Sequence, residues 1–296
     1  MRRLLIILAL IGSVGLAAFW YLTIPQTRDP LAIAGLTGDP ARGEQVFWAG
    51  GCANCHAAFD ARGDAKLRLG GGQRFATPFG TFIAPNISPD PDHGIGGWRP
   101  IDLANAMTMG VSPDGRHYFP AFPYASFSRA TMQDVADLHA FLMTLPPVAE
   151  PSLPHEVGFP FNIRRSVGIW KLLYLRKDWA VPGDLPPPAA RGRYIAEALG
   201  HCGECHTPRD ALGGMQRARW LAGGPAPDGK GKFPNITPAR LKWSEADIAE
   251  YLKSGFTPDF DSAGGHMALV VESFAHLTDA DRAAVAAYLK AAPAVE

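Results

Sequence analysis

The chain has no surplus of either charge: 28 lysines and arginines balance 28 aspartates and glutamates. Binding to nucleic acid would need a basic stripe, so that class is excluded, and no net field marks a docking face. Cysteine is scarce. The four in 296 residues are Cys52, Cys55, Cys202 and Cys205, which leaves none for a structural disulfide elsewhere. No stretch sustains the apolar–polar alternation of a strand, so a sheet is not expected. Gly70-Gly71-Gly72 follows no predicted strand, which removes a phosphate-loop reading. Charged residues are 19% against 47% hydrophobic, a balance that excludes wholesale disorder. What the chain does have in quantity is Gly (32) and Pro (27), so turns and loops take a large share. Its length suits two domains of about 100–200 residues each.

Long apolar runs are missing too, save one. Leu4 to Leu22 carries no charge and follows Met1-Arg2-Arg3. As a helix this run spans about 28 Å, close to the ~30 Å hydrocarbon core of a bilayer. Arg2 and Arg3 predict a cytoplasmic start, with the rest of the chain on the far side. Two readings stand side by side. Residues 1–25 form an uncleaved signal-anchor helix, for which Phe19-Trp20-Tyr21-Leu22 supplies an interfacial aromatic belt. Otherwise Gly15-Leu16-Ala17 is a small-x-small cleavage site and the mature protein is soluble and periplasmic. Both export the globular part; the first leaves it anchored to the inner membrane and facing the periplasm.

The chain then repeats itself. Cys52-Ala-Asn-Cys55-His56 returns as Cys202-Gly-Glu-Cys205-His206, and Pro85-Asn-Ile-Ser-Pro89 returns as Pro234-Asn-Ile-Thr-Pro238. Trp98 to Gly110 and Trp243 to Gly255 are both twelve residues apart; Thr131 to Leu142 and Thr278 to Leu289 are both eleven. The repeat predicts two copies of one all-α domain, at 38–147 and 189–294, joined by a Pro-rich strap at 148–188. Each copy reads as three helices: Ala41–Ala49, Pro100–Met109 and Thr131–Thr144, then Ala190–Leu199, Ser244–Ser254 and Thr278–Ala291. Thr278 with Asp281 resembles a capping box with Asp for Glu. Asn86-Ile-Ser and Asn235-Ile-Thr match a glycosylation sequon but read as turns, since the repeat puts both at one corner before a proline. Within the strap, Phe159–Trp179 is aromatic and basic, with Arg164, Arg165, Lys171, Arg176 and Lys177. It is either a surface for a partner or haem propionate, or packing between the two cores.

Cys-x-x-Cys-His is the pattern of covalent c-type haem attachment. Each thiol adds to a porphyrin vinyl group to give a thioether, and the following histidine can bind the iron. Cys52, Cys55, Cys202 and Cys205 are therefore candidate attachment residues for two haem c groups, with His56 and His206 as axial ligands. A thioredoxin-like thiol pair lacks its βαβ setting, and zinc lacks further ligands at suitable spacing. In the second copy Met267, twelve residues after Gly255, stands in Gly264-Gly-His-Met267, read as a loop. It is the candidate sixth ligand, with His266 the weaker one; His/Met ligation raises the reduction potential. The first copy has Phe122 at the matching place, which cannot bind iron. His117, Met109, Met107 and an open position all remain there.

These residues, with Gly94-Ile-Gly-Gly-Trp98, Pro120-Ala-Phe-Pro-Tyr124 and His201-Cys-Gly-Glu-Cys-His-Thr-Pro208, resemble the class I cytochrome c family. The likeness covers nearly all of 38–293 and, more narrowly, resembles the membrane-anchored cytochrome c subunits of periplasmic alcohol and gluconate dehydrogenases. It implies all-α domains whose first and last helices cross, two covalent haems, and electron transfer from a partner dehydrogenase toward the respiratory chain. Those subunits carry three haems, whereas this sequence has motifs for two, and the family's Pro-Ala-Met-Pro-Tyr loop here holds Phe122. The alternative implied by that departure is a haem enzyme or sensor that uses an open first haem for peroxide, a sulfur compound or a gas.

Overall fold

A computed structural model describes residues 1–296. Helix α1 (Arg2–Leu22) stands outside the folded body, with none of its residues buried. Two helical domains follow. The first holds α2 (Pro40–Ala49), α3 (Cys52–His56), a hairpin of β1 (Arg74–Thr77) and β2 (Gly80–Ile83), then α4 (Pro100–Met109), α5 (Tyr124–Phe127) and α6 (Met132–Leu142). The strap contributes α7 (Val167–Tyr174). The second domain holds α8 (Pro187–Arg193), which runs on as a π-turn Tyr194–Leu199, then α9 (Cys202–His206), the minimal hairpin β3 (Gly224–Pro225) and β4 (Lys232–Phe233), α10 (Glu245–Ser254), α11 (Gly265–Phe274) and α12 (Asp279–Ala291). The two antiparallel hairpins were not expected. Their strands have at most four residues, too short for period-two patterning to register.

In each domain the first helix crosses the last, and a glycine permits the crossing. A Cβ on Gly43 would lie 2.0 Å from the Asp137 carbonyl oxygen of α6, and one on Gly192 would lie 1.8 Å from that of Ala284 in α12. No side chain fits at either point. Around the first crossing, buried Asp137 accepts from Arg42 Nε at 2.9 Å and from the Asp39 amide at 2.8 Å. The second domain buries Glu197 instead, which accepts from the amides of Ala180 (2.5 Å) and Val181 (3.1 Å) and from the Tyr288 hydroxyl (2.7 Å). That carboxylate ties the end of the strap to the second core, and burial among donors offsets its desolvation.

The helix ends follow side-chain chemistry. Thr131, Ser244 and Thr278 each accept the amide of the residue three on. The full capping box is at Ser244 and Asp247, not at Thr278; Asp281 turns its carboxylate to Arg191 Nε at 2.8 Å. Both sequons are turns. The Asn86 and Asn235 side chains accept from Ser88 N and Thr237 N, each at 2.9 Å, while Asn86 itself is buried.

The two domains share one continuous hydrophobic core. Within the strap, Trp170 meets Tyr124 edge-on at 6.0 Å and Trp179 meets Tyr194 at 6.4 Å, as a packing segment should. Phe159, Phe161, Ile163, Leu172 and Leu173 face outward instead.

Candidate functional site

Each Cys-x-x-Cys-His stretch is a single turn-and-a-half of helix entered through a left-handed residue, Gly51 (φ 60°) for α3 and His201 (φ 41°) for α9. Helical spacing sets the two thiols three apart and the histidine four from the first thiol, all on one face. The four cysteines are free. Burial pushes the Cys52 and Cys202 thiols up to about 12 and those of Cys55 and Cys205 up to about 11. Cys55 and Cys205 nevertheless keep solvent-exposed surface. Protein crowding around an accessible sulfur is what the wall of a crevice produces. No cluster of three or more His, Cys, Asp or Glu stands together at either place.

The histidines are oriented by a feature that spacing alone did not reveal. His56 Nδ1 lies 2.8 Å from the Pro85 carbonyl oxygen, and His206 Nδ1 lies 2.8 Å from that of Pro234. A carbonyl only accepts, so Nδ1 carries the proton and Nε2 keeps its lone pair. Burial also holds both imidazoles below the usual histidine range, with the carbonyl bond opposing it. This is a neutral, aimed imidazole of the kind a metal ligand needs. The signal was in the repeat: Pro85-Asn-Ile and Pro234-Asn-Ile recur because each supplies the orienting carbonyl. A Cβ on Gly203 would lie 2.0 Å from Trp220, so the indole rests directly on α9. The donor set therefore fits a haem at each place: two neutral thiols for thioethers and one imidazole with a free Nε2.

The sixth-ligand candidates fare unequally. Met267 is half-buried against the core but does not stand in a loop. It occupies the first turn of α11, because Met267, Val270, Val271 and Phe274 recur at helical spacing and Gly264 serves as N-cap. His266 beside it is exposed. In the first domain His117 is buried with both ring nitrogens taken: Nε2 donates to the Thr23 carbonyl at 2.9 Å, and Nδ1 accepts from Lys171 Nζ at 3.0 Å. It is a structural histidine and not a free ligand. Met107 is core; Met109 is half-buried, with its carbonyl accepting from Lys171 at 2.7 Å. Phe122 sits among Tyr118, Tyr124 and Phe127 with ring centroids 5.8–6.4 Å away.

Each attachment helix is bonded to the other domain at the junction. Asn54 of α3 accepts from Ser273 at 2.8 Å, and Glu204 of α9 accepts from Ser126 at 2.9 Å. His201 meets Phe127 edge-on at 5.6 Å, and Trp48 stacks on His276 at 3.8 Å and 4°.

The model of the cytochrome c family matches residues 40–146 and 189–293. The chain belongs to the cytochrome c family. It is a dihaem electron-transfer protein with two tandem cytochrome c domains and two covalently bound haem c groups. A diheme cytochrome c-type protein of Cereibacter sphaeroides is 60% identical over 289 residues, covering 98% of this chain and 97% of the relative. The fructose dehydrogenase cytochrome subunit of Gluconobacter japonicus is 36% identical over 276 residues, 91% of this chain and 56% of that subunit. The gluconate 2-dehydrogenase cytochrome c subunit of Pantoea cypripedii is 33% identical over 279 residues, 88% and 62%. The chain thus spans little more than half of the dehydrogenase subunits it matches.

Proposed function

We propose that this chain is a membrane-anchored carrier that accepts electrons from a periplasmic dehydrogenase and passes them toward the respiratory chain. The observation that carries the proposal is that each attachment helix is bonded to the other domain, α3 through Asn54 to Ser273 of α11 and α9 through Glu204 to Ser126 of α5. Two redox groups carried by helices that both sit at one domain junction suit a relay that receives at one domain and delivers from the other. The relatives named as dehydrogenase cytochrome subunits support the class of donor. A haem enzyme or sensor is not favoured by these relatives.

In this reading Cys52, Cys55, Cys202 and Cys205 hold the haems through thioethers, and His56 and His206 are the fifth ligands. Met267 is the sixth ligand in the second domain. Haem supplies reversible one-electron oxidation and reduction when bound. The protein's part is to fix each imidazole through the Pro85 or Pro234 carbonyl and to exclude water with the packed faces of both domains. The domains are assigned to 38–147 and 189–294, with the strap at 148–188.

Cytochrome c domains work in the periplasm, and α1 is long and apolar enough to hold this pair at the membrane surface, with a mean hydropathy of 2.3. Anchoring is further supported by the built junction at its end. Thr23 is fully buried, and Arg165 donates to Thr23 Oγ1 at 2.8 Å and to the Trp20 carbonyl at 2.6 Å. The test is optical: oxidised full-length protein is mixed with host membranes, and alcohols, sugars or sugar acids are added. Haem reduction only when membranes are present supports a carrier, whereas turnover by the isolated protein overturns it.

A further inference from the structure

We propose that α7 and the loop before it form a second membrane contact, lying in the headgroup layer of an anionic bilayer beside the exit of α1. The proposal rests on α1 being a retained span. Helix α7 carries two unlike faces. Val167 packs with Phe82 and Phe119, Trp170 donates to the Leu212 carbonyl at 3.1 Å, and Tyr174 donates to Asp210 at 2.8 Å. The opposite face, Ile169, Leu172 and Leu173, is wholly aliphatic, and Leu172 and Leu173 are 57% and 49% exposed. A helix facing water carries polar residues there. The preceding loop repeats the pattern, with Phe159 81% exposed.

The position of α1 identifies the occupant. A Cβ on Gly168 would lie 2.6 Å from Thr23 Cβ, so α7 passes against the end of the span. The Arg165 guanidinium lies 4.4 Å over the Trp20 ring. Trp20 and Tyr21 are the belt that marks the membrane–water boundary, so α7 begins at headgroup level. Eight residues are too few to cross a bilayer, but an aliphatic face in the interfacial plane buries to a depth of ~5–10 Å. Arg176 and Lys177 follow one residue after α7, exposed, and the next residue, Asp178, is paired with Arg217 at 3.0 Å, while Asp210 is taken by Tyr174. Long cationic stems beside an apolar face match anionic headgroups.

In the holoprotein every native cysteine is held in a thioether, so an introduced cysteine is the sole thiol. Leu172→Cys, Leu8→Cys and Asp228→Cys holoproteins are placed in phosphatidylglycerol–phosphatidylethanolamine vesicles carrying a trace of diazirine lipid. They are reacted with a charged, bilayer-impermeant maleimide. The proposal expects Leu8→Cys and Leu172→Cys to react several-fold more slowly than Asp228→Cys, with lipid adducts mapping to 159–174 after illumination. Protected Leu8→Cys with Leu172→Cys reacting as fast as Asp228→Cys overturns the contact and leaves the anchor intact. Unprotected Leu8→Cys, or loss of residues 1–17 by mass, overturns the anchor and the contact together. Protection of Leu172→Cys without lipid adducts assigns the face to protein and overturns the proposal.

Discussion

Asn54 and Ser273 are related to Glu204 and Ser126 by exchange of the two domains. Asn54 and Glu204 are the third residues of their Cys-x-x-Cys stretches, and Ser273 and Ser126 each stand five residues before the threonine that caps the last helix. One internal contact is thus made twice, as in an isologous dimer interface, although the two copies are fused in one chain. The junction that fixes each attachment helix against the other domain is built from the repeat itself.

A double-mutant cycle reads this relation. Asn54→Ala and Ser273→Ala should show a coupling of about 1 kcal/mol in denaturant unfolding, and Asn54→Ala with Ser126→Ala should be additive. Additivity in both pairs would remove the contact from the account.

The helix crossing of the second domain should be intolerant of a methyl group. Gly192→Ala sets Cβ against the Ala284 carbonyl and should cost about 1–3 kcal/mol or more through forced backbone displacement. A thermal midpoint equal to that of the parent protein would contradict the crossing geometry.

His117→Ala should leave the haem spectra and the response to carbon monoxide unchanged, because both ring nitrogens are already occupied. It should still destabilise the fold by about 1–3 kcal/mol, since the buried Thr23 carbonyl loses its donor. Carbon monoxide binding that appears only in the variant would restore His117 as an iron ligand.

Lys171 makes stability depend on pH. Burial pushes its ammonium from the ordinary 10.5 down to about 7, while Nζ donates to the carbonyls of Met109 and Gly110 at 2.7 Å. Between those values the unfolded chain binds more protons than the folded one, so this contribution is complete above 10.5 and lost as pH falls through about 7. Urea unfolding at fixed redox state should therefore show stability rising from pH 7 to pH 9, a slope that Lys171→Met flattens. An equal slope in both proteins would contradict the assignment.

The sequence made the domain repeat and most helix limits readable, because those depend on spacing. Middle helix Pro100–Met109 runs between a proline start and Gly110 in the left-handed region, both visible in the string. What it did not show depends on contacts between distant segments. Nothing local marks Gly43 and Gly192 as crossing points, and nothing near His117 announces Thr23 and Lys171. Met267 was read as a loop residue because Gly264 and Gly265 look like breakers; they instead start a helix whose apolar period begins at Met267 itself. The Pro85 and Pro234 carbonyls were legible only as a repeated motif, with their partner unknown until the chain was folded.

The most direct test of two unequal haems in one relay is an optical redox titration of the full-length holoprotein beside Met267→Ala, with haem content fixed by pyridine haemochrome. Thioether ligation stabilises the ferrous state. The account predicts two haems, two separate one-electron steps, and in the variant a downward move of the upper step alone. A single haem, two coincident steps, or an upper step that stays in place without Met267 would contradict it.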